Sequence, residues 1–218
     1  MKIHDITATI SDNLPYYGNE RPTAIKTAEL KNGDQYNLTK LSVSAHTGTH
    51  ADMPSHFISN GTTCDNITLD HFYGPAKLIR IPAMHMPTPI PTSHITGEQL
   101  RAYDSEIEPG AILLIDTGQS KYMSQGTLKT DFLALTPCAA QYLIEKKVKT
   151  VGIDYLSVDP YDATGFPVHM ALLGNGITIL EGLVLENVPE GEYILSALPL
   201  KIEDGDGSPV RAVLIEME

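Results

Sequence analysis

Tryptophan is absent from this chain, and cysteine occurs only at Cys64 and Cys138. Two isolated thiols form no CxxC pair and no disulfide framework, so they read as buried or semi-buried thiols of a reducing compartment. Long apolar runs are missing: nothing approaches the ~18 residues of a membrane span. The N-terminus MKIHDITATISDNLPYYGNE lacks the apolar core of a signal peptide, and a cytoplasmic location is the default expectation. Basic runs are absent as well. With 15 Lys plus Arg against 27 Asp plus Glu, the formal charge is −12, which suits neither nucleic acid nor an anionic membrane surface. There is no G-x-S-x-G elbow, and neither cysteine has a histidine beside it in sequence; both facts argue against a serine or cysteine nucleophile. What is present is a globular composition, 42% hydrophobic and 19% charged, in 218 residues. One domain over residues 1–218 with a sizeable core is expected.

The apolar pattern is strand-rich. Ile3 to Ile10 predicts a first strand, and Tyr36 to Ala45 a second, with Leu41, Val43 and Ala45 on one face and Ser42 and Ser44 on the other. Further strands are expected at Lys77–Ile81, Ala111–Asp116, Val151–Ile153, Ile177–Leu185, Tyr193–Pro199 and Val210–Glu216. Helices are signalled by Thr96 capping a run to Tyr103, and by Thr136 capping a run to Lys147 with Pro137 at the first helical position. Pro82 to Ser93, with four prolines in twelve residues, reads as a loop. Glu203 to Ser208 reads as a plain turn, because it lacks the spacing and terminal Glu of an EF-hand. Strands outnumber helices in mixed order, which predicts an α/β fold with a mixed, curled or barrel-like sheet flanked by a few helices.

Chemistry concentrates in His46-Thr-Gly-Thr-His50-Ala-Asp52-Met-Pro-Ser-His56-Phe57. Three histidines and an aspartate fall within eleven residues, and imidazole and carboxylate are the usual ligands of a catalytic divalent ion. In an extended strand His46 and His50 would stand about 13 Å apart, at ~3.3 Å per residue. A helix would align them, but Gly48 between threonines argues against one. Gly48 is therefore the expected hinge that curls the two imidazoles together, at the end of the preceding strand and on its polar face. Asp52 can bring a carboxylate to the same ion or bridge two. Pro54 stops a helix and stiffens the exit, and His56 is either a fourth ligand or a base beside the metal. The scattered His4, His71, His85 and His94 read as structural or exposed. Structural zinc sites are usually closed by Cys and His, so this carboxylate-rich set points to an open, catalytic site; zinc suits it, and so does manganese.

At this motif the chain resembles the cyclase-like metal-dependent hydrolase family, which includes bacterial kynurenine formamidases (arylformamidases) and isatin hydrolases. Residues 46–57 match the signature HxGTHxDxPxHF at every fixed position. Phe72-Tyr-Gly-Pro-Ala76, Asp116-Thr-Gly118, Gly152-Ile-Asp-Tyr-Leu-Ser157 with Asp159-Pro160, Ala197-Leu-Pro-Leu-Lys201 and Ser208-Pro-Val-Arg-Ala212 extend the likeness over nearly the whole chain. The resemblance implies a swivelling β/β/α-like fold, one or two divalent ions per chain with zinc foremost, a small-molecule substrate and a homo-oligomer, commonly a dimer. It implies His46, His50 and Asp52 as ligands of one ion, Asp52 as a bridge to a second, and His56 as the catalytic acid/base. It also implies a late His and Glu twelve residues apart, here His169 and Glu181.

Glu181 lies in the apolar run ITILEGLVL. An unpartnered carboxylate buried there would cost on the order of several kcal/mol, which a cation removes. The other reading is a strand-end charge facing solvent beside Gly182. In the formamidases an aromatic residue of an N-terminal P-V-W/Y-P-G-D-like segment lines the substrate pocket. Tyr17 of Pro15-Tyr-Tyr-Gly-Asn19 takes that place, and the following Pro-Gly-Asp is missing. The activity implied is hydrolysis of an amide C–N bond by metal-activated water, on an aryl formamide of the N-formylkynurenine type. Opening of a cyclic imide or lactam such as isatin is the alternative. The same Lewis acid and histidine base would also serve a lyase or dehydratase, and a metal clamp without catalysis is the non-enzymatic reading.

Overall fold

A computed structural model of the chain describes residues 1–17, 21–81 and 94–217. Its strands are β1 (Ile3–Asp5), β2 (Thr23–Ala28), β3 (Leu38–Ser42), β4 (His50–Asp52), β5 (Tyr73–Arg80), β6 (His94–Ile95), β7 (Ile112–Asp116), β8 (Ala134–Leu135), β9 (Thr150–Ile153), β10 (Thr178–Glu181), β11 (Gly191–Ser196), β12 (Gly207–Pro209) and β13 (Val213–Glu216). Its helices are α1 (Gly97–Arg101), α2 (Ser120–Gln125), α3 (Pro137–Lys146) and α4 (Pro167–Gly174). Nine strands form one sheet in the order β1-β13-β11-β5-β7-β9-β10-β4-β12. Its centre, β5-β7-β9-β10, is parallel, and both wings pair antiparallel. Past β1 the chain returns onto the far half of the sheet: Val184 N donates to the Ile6 carbonyl, and Thr7 bridges Leu183. The sheet is thus mixed and curled, as expected.

The central strands are buried on both faces, which is why Ile112–Asp116 reads as a continuous apolar run. Leu113, Ile115, Val151, Ile153 and Ile179 meet Ala139, Ala140, Leu143, Val168 and Leu172 of α3 and α4. The alternate residues Ile112, Leu114 and Leu180 pack inside the curl with Ile6, Ala51, Met53 and Leu214. Thr96 and Thr136 cap their helices as expected; Thr96 and Gln99 form a full capping box.

Three expectations are corrected. The strand predicted at Tyr36–Ala45 ends at Ser42 and belongs to a two-stranded ribbon with β2, where Leu41 is 55% exposed. It paired with no core, so its alternation did not report a buried face, and it does not lead directly into His46. Pro54 does not stop a helix; it starts the 3₁₀ turn Pro54–His56, because a missing N–H costs nothing at a first helical position. Cys138 is exposed, while Cys64 is buried; neither is in a disulfide. The proline-rich loop Pro82–Ser93 and His85 lie outside the described residues. No helix among the described residues is long and apolar enough to cross a membrane.

Candidate metal centre

Register places the first ligand-type groups. In the antiparallel pair of β10 and β4, Glu181 lies opposite His50, and Ile179 opposite Asp52. Directly opposed residues share a face, as do residues two apart on one strand. Glu181, His50 and Asp52 therefore point to the same side, the one covered by α4. His169 comes to them from the first turn of α4, an element the turn-like Gly165-Phe-Pro167 did not announce. Gly48 adopts the left-handed conformation, φ +65°. This folds residues 46–49 back so that the His46 and His50 rings stand 5.2 Å apart, edge to face. The expected hinge is present.

The nitrogens of four imidazoles meet distinct surroundings. His50 Nδ1 lies 2.9 Å from the Gly48 carbonyl, which can only accept. Nδ1 therefore carries the proton, and Nε2 faces Asp52 Oδ1 at 3.3 Å and Glu181 Oε2 at 3.5 Å. His169 Nδ1 donates to Asp159 Oδ2 at 2.7 Å, leaving Nε2 toward Glu181 Oε1 at 3.3 Å and Asp52 Oδ2 at 3.5 Å. Asp159 also accepts from the Val168 and His169 backbone N–H groups, so one buried carboxylate caps α4 and orients its imidazole. His46 lies between two carboxylates, with Nδ1 2.7 Å from Asp52 Oδ1 and Nε2 3.0 Å from Asp206 Oδ2. His56 stacks on His46 at 3.8 Å, its Nδ1 3.3 Å from Asp206 Oδ2.

The charge balance of this cluster calls for a cation. Asp52 and Glu181 are 1% and 4% exposed, so Glu181 is not a solvent-facing strand end. Burial works against ionisation of Asp52, but bonds from His169, His46 and His50 hold its carboxyl well below the usual range. Burial likewise opposes protonation of His169, yet Asp159, Asp52 and Glu181 push it up to about 12. His46 is raised to about 9 against its burial, by Asp52 and then Asp206. Without another cation, protons fill the space between the carboxylates. Even so, Asp52 Oδ2 is buried and makes no hydrogen bond of good geometry; its polar neighbour is His169 Nε2 at 3.5 Å. A divalent ion fits this donor set: inward-facing imidazole nitrogens and carboxylate oxygens, one of which, Asp52 Oδ2, has only a long contact to His169 Nε2. Among the described residues two groups have ligand atoms within 4.8 Å of one another, His46–Asp52–His56 and His50–Asp52–Glu181, and Asp52 is common to both.

A cavity of about 310 Å³ opens onto the cluster, in the size range of small-molecule sites. Tyr17, Phe57, Phe166 and Leu156 form its apolar walls. Tyr17 is anchored by its hydroxyl, which donates to the Tyr161 carbonyl at 2.5 Å, and its ring packs on Tyr161. Phe166 has a left-handed backbone, φ +46°, uncommon for an aromatic residue; its ring packs on Phe57 at 5.3 Å. Sequence reasoning missed Asp159, Phe166 and Asp206. Asp159-Pro160 stood out only through the family resemblance. Glu203–Ser208 is a turn as expected, running into β12, and it also carries Asp206 into the site. No local signal marks Phe166. Elsewhere, His4 is paired with Glu216, and His71 contacts Thr178.

A His–carboxylate cluster of this kind, at the edge of a curled mixed sheet and below an aromatic pocket, defines a metal-dependent hydrolase. The sequence model of the Cyclase family matches residues 4–160, and the chain belongs to that family. A kynurenine formamidase of Salinibacter ruber is 36% identical over 216 residues, which cover 98% of this chain and 97% of that protein. A solved structure described as a potential metal-dependent hydrolase with cyclase activity is 32% identical, with a TM-score of 0.84, covering 100% of this chain and 98% of its own. An isatin hydrolase bound to the product analogue thioisatinate is 26% identical, with a TM-score of 0.84, covering 100% and 93%.

Proposed function

We propose that this chain is a metal-dependent arylformamidase acting on N-formyl arylamines of the N-formylkynurenine type. The observation that carries the reading is the buried His–carboxylate cluster that converges on Asp52 at the floor of an aromatic-walled pocket. The likeness to the Salinibacter ruber kynurenine formamidase supports the substrate class. In this reading His46, His50 and Asp52 hold one divalent ion, and Asp52, His169 and Glu181 hold a second. Zinc is the first choice, manganese the alternative. When bound, the ion supplies Lewis acidity toward the formyl oxygen and a water acidic enough to attack near neutral pH.

The chain's own groups do the rest. His56 takes the proton of the attacking water and returns it to the leaving nitrogen, so that water and formamide become arylamine and formate. Burial lowers the basicity of His56, which suits a base that must start unprotonated. Its Nδ1 is turned to Asp206, so Nε2 is the atom for proton transfer. Tyr17, Phe57 and Phe166 hold the aryl ring. A homo-oligomer, a dimer in the simplest case, and a cytoplasmic location complete the proposal; the first rests on the family resemblance, the second on the N-terminal composition.

The isatin hydrolase likeness favours a second reading, opening of a cyclic imide or lactam. The test is arylamine release from N-formyl arylamines by zinc- or manganese-loaded protein, with isatin in a parallel arm and a chelator control. Chelator-sensitive formamide turnover is expected. Activity on isatin alone would move the assignment to the second reading, and inertness toward both would refute the amidohydrolase.

A further inference from the structure

His50 and His169 each have an acceptor of their own for the outward nitrogen, the Gly48 carbonyl and the Asp159 carboxylate. His46 and His56 share one. A single atom, Asp206 Oδ2, lies 3.0 Å from His46 Nε2 and 3.3 Å from His56 Nδ1. The sharing is geometric in origin: the two rings are stacked at 3.8 Å with 22° between their planes, so their edges present nitrogens side by side to one oxygen.

The segment around Asp206 is built to hold that position. Gly207 pairs with Asp52 in the register of β12 and β4. The Asp206 carbonyl accepts from Met53 N at 3.0 Å, and the Gly205 carbonyl from Cys64 N at 2.9 Å. These bonds tie the backbone without using the Asp206 side chain. Gly207 lies flush against the ring: a Cβ there would stand 2.5 Å from His46 Cε1 and 2.9 Å from Nε2. The turn is therefore in direct contact with His46 on either side of the peptide that joins residues 206 and 207.

We propose that Asp206 is a positioning residue that clamps two imidazoles at once. It bonds His46 Nε2–H, which presents Nδ1 inward beside Asp52, and it stands 3.3 Å from His56 Nδ1, close enough to accept that N–H once the contact tightens and so to leave Nε2 open to the pocket. Carboxylates that accept the outer N–H of a metal-ligating histidine fix its tautomer and raise its basicity as a ligand. Here the same carboxylate sets the tautomer of the neighbouring base, so ion binding and proton transfer are aligned by one side chain. The 3.3 Å contact to His56 is of the kind that tightens when substrate is bound. The His56 limb rests on the amidohydrolase reading; the His46 limb requires only that the cluster binds a divalent ion.

The test uses the full chain as Asp206→Ala, Asp206→Asn and Asp206→Glu. Zinc affinity is measured by competition with a fluorescent chelator, and ring-nitrogen shifts of zinc-loaded, ¹⁵N-histidine protein report the tautomers. Ala and Asn should weaken zinc by about 10–100-fold. They should also turn the single Nδ1–H form of His56 into a mixture and lower kcat more than they raise KM. Glu should restore part of each effect. The near-isosteric Asn keeps every backbone bond of the turn, so a folding defect in the Ala variant does not decide the matter. Unchanged zinc affinity in the Asn variant overturns the His46 limb, and an unchanged His56 tautomer overturns the His56 limb. A parent protein inert to formamides would sink the amidohydrolase reading, yet the zinc and tautomer measurements would still decide whether the clamp exists.

Discussion

Gly207→Ala is the smallest change that tests how the site is assembled. The added methyl would lie 2.5 Å from His46 Cε1 and 3.0 Å from the Ala51 carbonyl. The carbonyl contact is tight and is relieved by a shift of a few tenths of an ångström, but the ring contact is not tolerable, so the imidazole must retreat by about 1 Å to reach ordinary contact. Its hydrogen bonds to Asp52 at 2.7 Å and Asp206 at 3.0 Å cannot both survive that movement. Overpacking of this kind costs about 1–3 kcal/mol. At this chain length that lowers Tm by about 2–12 °C. Zinc affinity, read by chelator competition, should fall by at least the about 10–100-fold expected for losing an orienting partner. The decisive control is the same substitution in a His46→Ala background. There the ring is gone and only the carbonyl contact remains, so most of the cost should vanish, giving a coupling of about 1–3 kcal/mol in a double-mutant cycle. An equal penalty with and without the imidazole would refute the idea that Gly207 is a glycine for the sake of His46.

Asp159→Ala should remove both the cap of α4 and the partner of His169, costing about 0.5–2 kcal/mol in stability and about 10–100-fold in zinc affinity; undiminished affinity would show that His169 needs no such support. In the metal-free protein His46 is raised from 6.5 to about 9, so its share of stability is fully present below pH 6.5 and lost as pH climbs through 9. A chelator-treated sample should therefore melt lower at pH 9 than at pH 6.5, by up to about 3 kcal/mol from His46, with His169 adding in the same direction; a Tm that rises over that interval would contradict the assignment. Because zinc must displace those protons, its affinity should drop as pH falls below 9, by about tenfold per unit for each proton displaced, and proton release on zinc addition to an unbuffered sample gives the count directly.

The site was legible where its residues are close in sequence and illegible where the fold brings them together. Residues 46–57 announced themselves because a single hinge at Gly48 and a short strand suffice to converge three of the four groups, so spacing alone carried the geometry. Glu181 was legible for a different reason: an acidic residue in an apolar run is costly unless partnered, and its burial beside His50 and His169 shows how that cost is met. His169 was reached through the family spacing: Pro167 holds the first helical position of α4, but Phe166 before it is no capping residue, so the start signal is incomplete. Asp159 and Asp206 act only through contacts formed by the tertiary fold, ten residues and 160 residues from the imidazoles they orient. A carboxylate in such a loop has the same local sequence whether it faces water or an imidazole. The same limit explains the ribbon of β2 and β3: the alternation around Leu41 was real, but alternation reports an amphipathic strand, not whether anything covers its apolar face. Sequence periodicity and spacing thus identify groups that chemistry forces together locally, whereas an outer carboxylate such as Asp206 reaches its imidazoles through strand register, here the pairing of Gly207 with Asp52 that carries Asp206 to the rings of His46 and His56.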